Sequence, residues 1–233
     1  MYKAVRIATL LVVLLALSLT TAIPTHSGSA VRKHVIAIDP GHGGEELGST
    51  ACPGLLEKDA NLDIAFRLQA LLDKNGATVY LTRTTDVDLS SRERADIVNG
   101  TDAEVLVNLH LNGWDDSALD GLYILYGKKR KDAELAQVMY DAMWDLLRAR
   151  APSFTDFGTS QFAAGVLLWS EIPSVLTESV FLSNTWECTE LTDGSGTHQD
   201  GSGTRQDEIA AAILAGLEDW FAQEGASTSP GRK

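Results

Sequence analysis

The sequence is short of positive charge. Its 233 residues carry 19 lysines and arginines against 32 acids, a formal net charge of −13. An acidic surface excludes nucleic acid as a partner, and any anionic polymer would have to be gripped locally rather than by overall charge. Cysteine is scarce, with only Cys52 and Cys188 present. In an exported chain two cysteines permit one disulfide, but the sequence leaves a bridge and a pair of free buried thiols both open. Long apolar runs are missing apart from one, Ile7 to Leu19, which follows Lys3 and Arg6. That run is short for a membrane span and reads as a secretory signal over residues 1–30, cut after Ala22 or Ala30; an uncleaved anchor is the alternative. An exported protein without a membrane domain is therefore expected, in the periplasm or in the cell wall. Several catalytic signatures are also absent. There is no GxSxG elbow, no GKS or GKT phosphate loop and no HExxH helix. Gly41, Gly43 and Gly44 miss a dinucleotide fingerprint, because its last glycine would fall on Glu46.

What remains after the signal, roughly 200 residues, suits one well-buried domain. Its organising stretch is His34 to Gly44, HVIAIDPGHGG. Val35 to Ile38 is apolar throughout and rich in β-branched residues, the pattern of a strand covered on both faces. Asp39-Pro40-Gly41 stops it, since proline has no N–H for the ladder and glycine permits a sharp turn. His42 then lies just past the C-terminal end of a strand, the rim where open α/β sheets bind ligands. Taken alone, it is equally well a loop histidine.

Helical spacing of Leu62, Ala65, Leu68, Leu71 and Leu72 predicts a helix with Glu57 at its mouth, where the helix dipole alone would account for an acid. Ala77 to Thr82 reads as a strand, and Ser90-Ser91-Arg92-Glu93 as a capping box opening a short helix. Val105 to His110 reads as a central strand that puts a second histidine at the same kind of position as His42. Gly121 to Tyr126, Gly165 to Trp169 and Ser174 to Phe181 read as further strands, the middle one as an extended edge at least. Asp132 to Arg150 is an amphipathic helix, with Met139 and Trp144 as core residues, and a last helix runs from about Gln206 to Gln223. Glu178 stands inside an otherwise apolar strand, which is costly unless the acid has a partner or a task. Residues 193–206 are a tandem repeat, DGSGTHQ then DGSGTRQ, differing only at His198 and Arg205. This composition reads as a flexible, solvated loop, and a copy that accepts arginine argues against His198 as a ligand. The fold class is α/β: a single domain over 31–225, with a mostly parallel mixed sheet and helices on both faces, and a disordered tail at 226–233.

His42, Glu57 and His110 are the residue types of a catalytic zinc site with two histidines, one glutamate and an open position, although spacing alone leaves that reading even with chance. Five segments carry a resemblance. They are Asp39 to Gly44, Glu57-Lys58-Asp59-Ala60-Asn61-Leu62, Leu81-Thr82-Arg83, Asn108-Leu109-His110-Leu111-Asn112, and Val175 to Glu178 with Phe181-Leu182-Ser183-Asn184. Together, in this order and over about residues 34–222, they resemble the zinc-dependent N-acetylmuramoyl-L-alanine amidases of the cell-wall hydrolase type. The resemblance implies one Zn²⁺ held by His42, Glu57 and His110, with Glu178 as the catalytic glutamate. It implies peptidoglycan as substrate, cleaved at the amide between N-acetylmuramic acid and L-alanine; a monomer is expected. Asn112, just beyond a ligand, either hydrogen-bonds substrate or caps its own loop. By the same resemblance Cys52 precedes a ligand and Cys188 follows the Glu178 strand, so both should lie near the site and a bridge between them is expected. Val180 stands where the family usually has glycine, Phe157 where an arginine is common, and the 193–206 repeat resembles an insertion; the first two leave substrate preference open. A zinc peptidase acting within the stem peptide, or a non-catalytic peptidoglycan-binding module, are the alternatives.

Overall fold

A computed structural model describes residues 28–192 and 204–228. The expected signal peptide, most of the 193–206 repeat including His198, and residues 229–233 lie outside the described residues. The strands are β1 (Val35–Pro40), β2 (Thr78–Leu81), β3 (Val105–Asn112), β4 (Gly121–Tyr126), β5 (Thr155–Gln161) and β6 (Ser174–Phe181). The helices are α1 (Glu57–Lys74), α2 (Ser91–Asn99), α3 (Arg130–Leu147), α4 (Gly165–Trp169), α5 (Thr185–Thr192) and α6 (Arg205–Thr228). The strands form one sheet in the order β2-β1-β3-β6-β4-β5. Four of them, β2, β1, β3 and β6, run parallel, whereas β4 pairs antiparallel with β6 and parallel with β5. The sheet is thus mixed and mostly parallel, as its sequence predicts.

Strand side chains alternate between two covered faces. Ile36, Ile38, Val105, Val107, Leu122, Ile124 and Val175 are buried in one apolar cluster with residues of α1, α3 and α6. Ala37, Leu106 and Leu176 point the other way, against Ala95 and Val98 of α2 and Val166 and Leu167 of α4. This second cover is short. Beyond it, towards the C-terminal ends of β3 and β6, the alternate positions of the same face carry Asn108, His110 and Glu178 in place of aliphatics. The cleft is therefore a place where the sheet outruns its helical cover.

Three elements depart from the sequence reading. Gly165 to Trp169 is a short helix, not a strand; a brief apolar run carries no periodicity to distinguish the two. Thr155–Gln161 is an edge strand that its polar composition conceals. Its register comes from β4, and it shifts between Leu122 and Tyr123 where Gly158 adopts a φ of 68°. Helix α5 is hidden in the sequence too, since it begins only three residues after β6. The end of the tandem repeat is not a solvated loop. Thr204, Arg205 and Gln206 are buried, and Arg205 is wholly enclosed. Its guanidinium donates to both oxygens of the equally enclosed Glu187, at 2.6 and 2.9 Å, and so ties α6 to α5. Helix α6 also runs to Thr228, past the expected domain boundary at 225.

Candidate metal and catalytic centre

Three separate elements supply the candidate ligands. His42 follows β1 and is held with a φ of 60°, a left-handed conformation that a non-glycine residue adopts only under restraint. The restraint comes from behind. Buried Arg94 of α2 donates to the His42 carbonyl at 2.8 Å and to the Pro40 carbonyl at 2.8 Å, and pairs with buried Asp39 at 2.8 Å. Buried Arg83 donates to the carbonyls of Pro40 at 2.9 Å, Gly41 at 3.0 Å and Lys58 at 2.7 Å. Asp39 also accepts from Thr82 and from Asn108, whose amide lies 2.9 Å away. The two guanidiniums thus fix the histidine loop to the sheet and to the start of α1.

Glu57 opens α1. The helix has no side-chain cap; instead the N–H groups of Glu57 and Lys58 donate to the carbonyls of Ser49 and Leu47, both at 3.2 Å. That folds residues 47–49 over the carboxylate, and the Ser49 N–H donates to Glu57 Oε2 at 2.8 Å. His110 stands on β3, beside Gly41. A Cβ at Gly41 would lie 2.4 Å from the His110 ring, so only glycine lets the loop and the ring pack together.

The ligand atoms converge. His42 Nε2 is 3.1 Å and His110 Nδ1 3.0 Å from Glu57 Oε1, and the two rings meet edge to face with centroids 4.7 Å apart. One donor atom from each of the three residues lies within 4.8 Å of the others. Two imidazole nitrogens and a carboxylate oxygen gathered in this way suit a zinc ion with a further position open. Glu178 is the register partner of His110 across β3 and β6, so both side chains stand on one face of the sheet. It lines the same cavity as the three, and its Oε2 is buried without a hydrogen-bond partner.

Electrostatics separates the two glutamates. Burial works to raise the Glu57 pKa, but hydrogen bonds and charge from His110 and His42 hold it well below the usual carboxylate range. Burial would lower the His42 pKa; the hydrogen bond and charge of Glu57 reverse this and raise it. Glu178 goes the opposite way. Burial first, and the charge of Glu57 second, push its carboxyl well above the ordinary value. One acid is held as an anion and the other is made to favour its proton, the pairing expected of a ligand and a proton-transfer group.

Cys52 and Cys188 are joined, with Cα atoms 5.4 Å apart, and the bridge fastens the loop before Glu57 to α5. Asn112 ends β3 beside the cavity, and its Oδ1 accepts the Gly113 N–H at 2.9 Å, a local turn contact. Arg94 was not identifiable from sequence as part of this centre, because its helix reads only as a capped surface helix. Arg83 lay within a recognised segment, but nothing local indicates that it reaches three carbonyls.

The chain matches the model of the N-acetylmuramoyl-L-alanine amidase family over residues 36–219. It is 30% identical over 208 residues to the germination-specific N-acetylmuramoyl-L-alanine amidase of Bacillus subtilis, covering 82% of this chain and 81% of that protein. It is 31% identical over 179 residues to the amidase LytC of the same organism, covering 74% of this chain and 35% of that longer protein. Among solved structures it superposes on the catalytic domain of the amidase CwlV from Bacillus (Paenibacillus) polymyxa var. colistinus with a TM-score of 0.70 and 27% identity, covering 81% of this chain and 98% of that one. With the α/β sheet, the convergent histidines and the matched span in agreement, the chain belongs to the N-acetylmuramoyl-L-alanine amidase family.

Proposed function

We propose that this protein is a zinc-dependent N-acetylmuramoyl-L-alanine amidase that acts on peptidoglycan outside the cytoplasm. The observation that carries the reading is the convergence of His42, Glu57 and His110 on one point, with Glu178 facing it from the neighbouring strand. His42, Glu57 and His110 would hold the ion. When bound, a zinc ion would polarise the scissile carbonyl and acidify the attacking water. Glu178 would accept a proton from that water as its oxygen attacks the lactyl carbonyl carbon. The same carboxyl would return the proton to the L-alanine nitrogen as the C–N bond breaks, leaving a carboxylate on the glycan and a free amine on the peptide. Its raised affinity for a proton suits the second half of this cycle, and the cation would supply the charge that favours the anion in the first. Arg83 and Arg94 act only through the loop they hold.

Export rests on the apolar run near the N-terminus and on the cell-wall substrate. No helix among the described residues is long and apolar enough to cross a membrane. The test is a purified protein assayed on isolated peptidoglycan before and after chelation, with product analysis. Intact stem peptides and bare glycan, lost with the metal and restored by zinc, are the expected result. Cleavage inside the stem peptide would move the assignment to the peptidase alternative, and activity that survives complete demetallation would remove the metal mechanism.

A further inference from the structure

A second cavity of about 400 Å³ adjoins the candidate centre and shares Asn112, Trp114, Leu125 and Glu178 with it. Its walls are of a different kind. Tyr123 is the register partner of Glu178 across β4 and β6, so the ring stands directly beside the acid. Phe157 of β5 leans on Tyr123 and on buried Phe181, with centroids 6.1 and 5.4 Å apart. The close fit depends on Gly121, where a Cβ would fall 2.7 Å from the Phe157 ring. Trp114, just after β3, completes the lining with Leu119 and Leu125; its backbone N–H is anchored on Ser183 Oγ at 2.9 Å, and the residue is 66% exposed. Among the described residues, no lysine or arginine lines this cavity. A tryptophan left this open, next to a fixed pair of rings and continuous with a reaction centre, is what a ligand-binding wall requires and a core does not.

The chemistry of the ligand follows from charge. Trp114 is followed by exposed Asp115 and Asp116, and no cation stands among the described lining residues to receive a carboxylate. A stem peptide carries free carboxylates, which this arm would repel. The glycan strand is neutral before cleavage, because the lactyl carboxyl of each substituted muramic acid is tied up in the amide. The C–H face of a pyranose ring also suits the electron-rich face of an aromatic ring. The geometry points to this arm as a sugar subsite: Trp114, Tyr123 and Phe157 bind a neutral N-acetylhexosamine ring of the glycan on the Glu178 side of the scissile bond. The inference rests on the proposed amidase reading for its orientation, but not for the binding itself.

Two measurements test it. The first is binding of N-acetylchitotetraose, which has the rings and acetamido groups but no scissile amide. Binding to the intact protein should weaken about tenfold in Trp114→Ala and in Phe157→Ala, the loss of one aromatic contact face, and recover in Trp114→Phe. Trp169→Ala, at an exposed tryptophan of α4 over which Arg92 of α2 lies, should bind as the wild type does. The second is the ratio of kcat/KM for a disaccharide-peptide to that for the monosaccharide-peptide. The ratio should exceed one in the wild type and fall towards one in Trp114→Ala, with melting temperature as the folding control. Tetraose affinity and a kinetic ratio that are both indifferent to Trp114 and Phe157 would overturn the proposal, as would variants that alter dependence on stem-peptide length instead. A protein without amidase activity whose tetraose binding still depends on Trp114 would refute the catalytic reading and leave the sugar subsite standing.

Discussion

Deleting either copy of the tandem repeat yields two chains that differ at one position. Removal of 193–199 leaves Arg205 in place, whereas removal of 200–206 brings His198 to the same point in the chain. The connection between α5 and α6 shortens from twelve residues to five in both. Loop-closure entropy changes by only about 0.8 kcal/mol for such a change, and any strain from the shorter loop is common to the pair. The difference between the two deletions therefore isolates the buried ion pair. Arg205 and Glu187 are both fully enclosed, and Arg205 also donates to Glu208 at 2.8 Å and to the Leu147 carbonyl at 3.2 Å. A neutral imidazole cannot reach all of these acceptors, so Glu187 is left buried and unpaired. Breaking a buried pair on one side costs about 3–5 kcal/mol. For a domain of this size that is roughly 6–20 °C in melting temperature. Thermal melts of the two deletions at pH 8 should thus separate widely, with the arginine-retaining chain close to the full-length protein. At pH 5 the gap should narrow, because a Glu187 left without its arginine takes up a proton and no longer buries a bare charge. Equal melting temperatures at pH 8 would refute the reasoning and return the whole repeat to the status of a solvated loop.

Glu178→Gln should lower turnover by about 10²–10⁴-fold while bound zinc stays near normal, whereas Glu57→Gln should lose metal first; turnover per bound zinc, measured in both, separates a proton-transfer group from a ligand. The Cys52–Cys188 bridge spans 136 residues and is worth about 5 kcal/mol in the chain-entropy model, so reduction should lower the denaturation midpoint markedly; an unchanged midpoint after verified reduction would refute this. Glu187 has its pKa raised to about 8 by burial, only partly offset by Arg205 and reinforced by neighbouring Asp120. Because the folded value lies above the unfolded one, this group's contribution is full below the ordinary carboxyl range and is lost as pH rises through about 8. Glu187→Gln should flatten that part of the stability-against-pH curve, and a slope the same as wild type would count against it.

The sequence determined whatever is written in short-range pattern. The apolar run of β1 and its proline-glycine stop placed His42 on the rim. The capping box at Ser90 and Glu93 is present as read, with reciprocal bonds between the two residues. Helices α1, α3 and α6 follow their apolar spacing, because burial of one stripe is a local periodic requirement. The segments around His42, Glu57, His110 and Glu178 were legible as a family resemblance, and the fold they imply is the one observed. Tertiary structure decided what depends on partners distant in the chain. Strand β5 exists because β4 offers it an edge, not because its own residues favour extension. The order β1-β3-β6 makes His110 and Glu178 neighbours across 68 positions of sequence, and no local rule contains that register. Arg94 and Arg205 look like surface arginines in one dimension. Each becomes a core residue only when folding brings it to an acid and to carbonyls that nothing else could satisfy, since a buried charge is tolerable only where such partners converge.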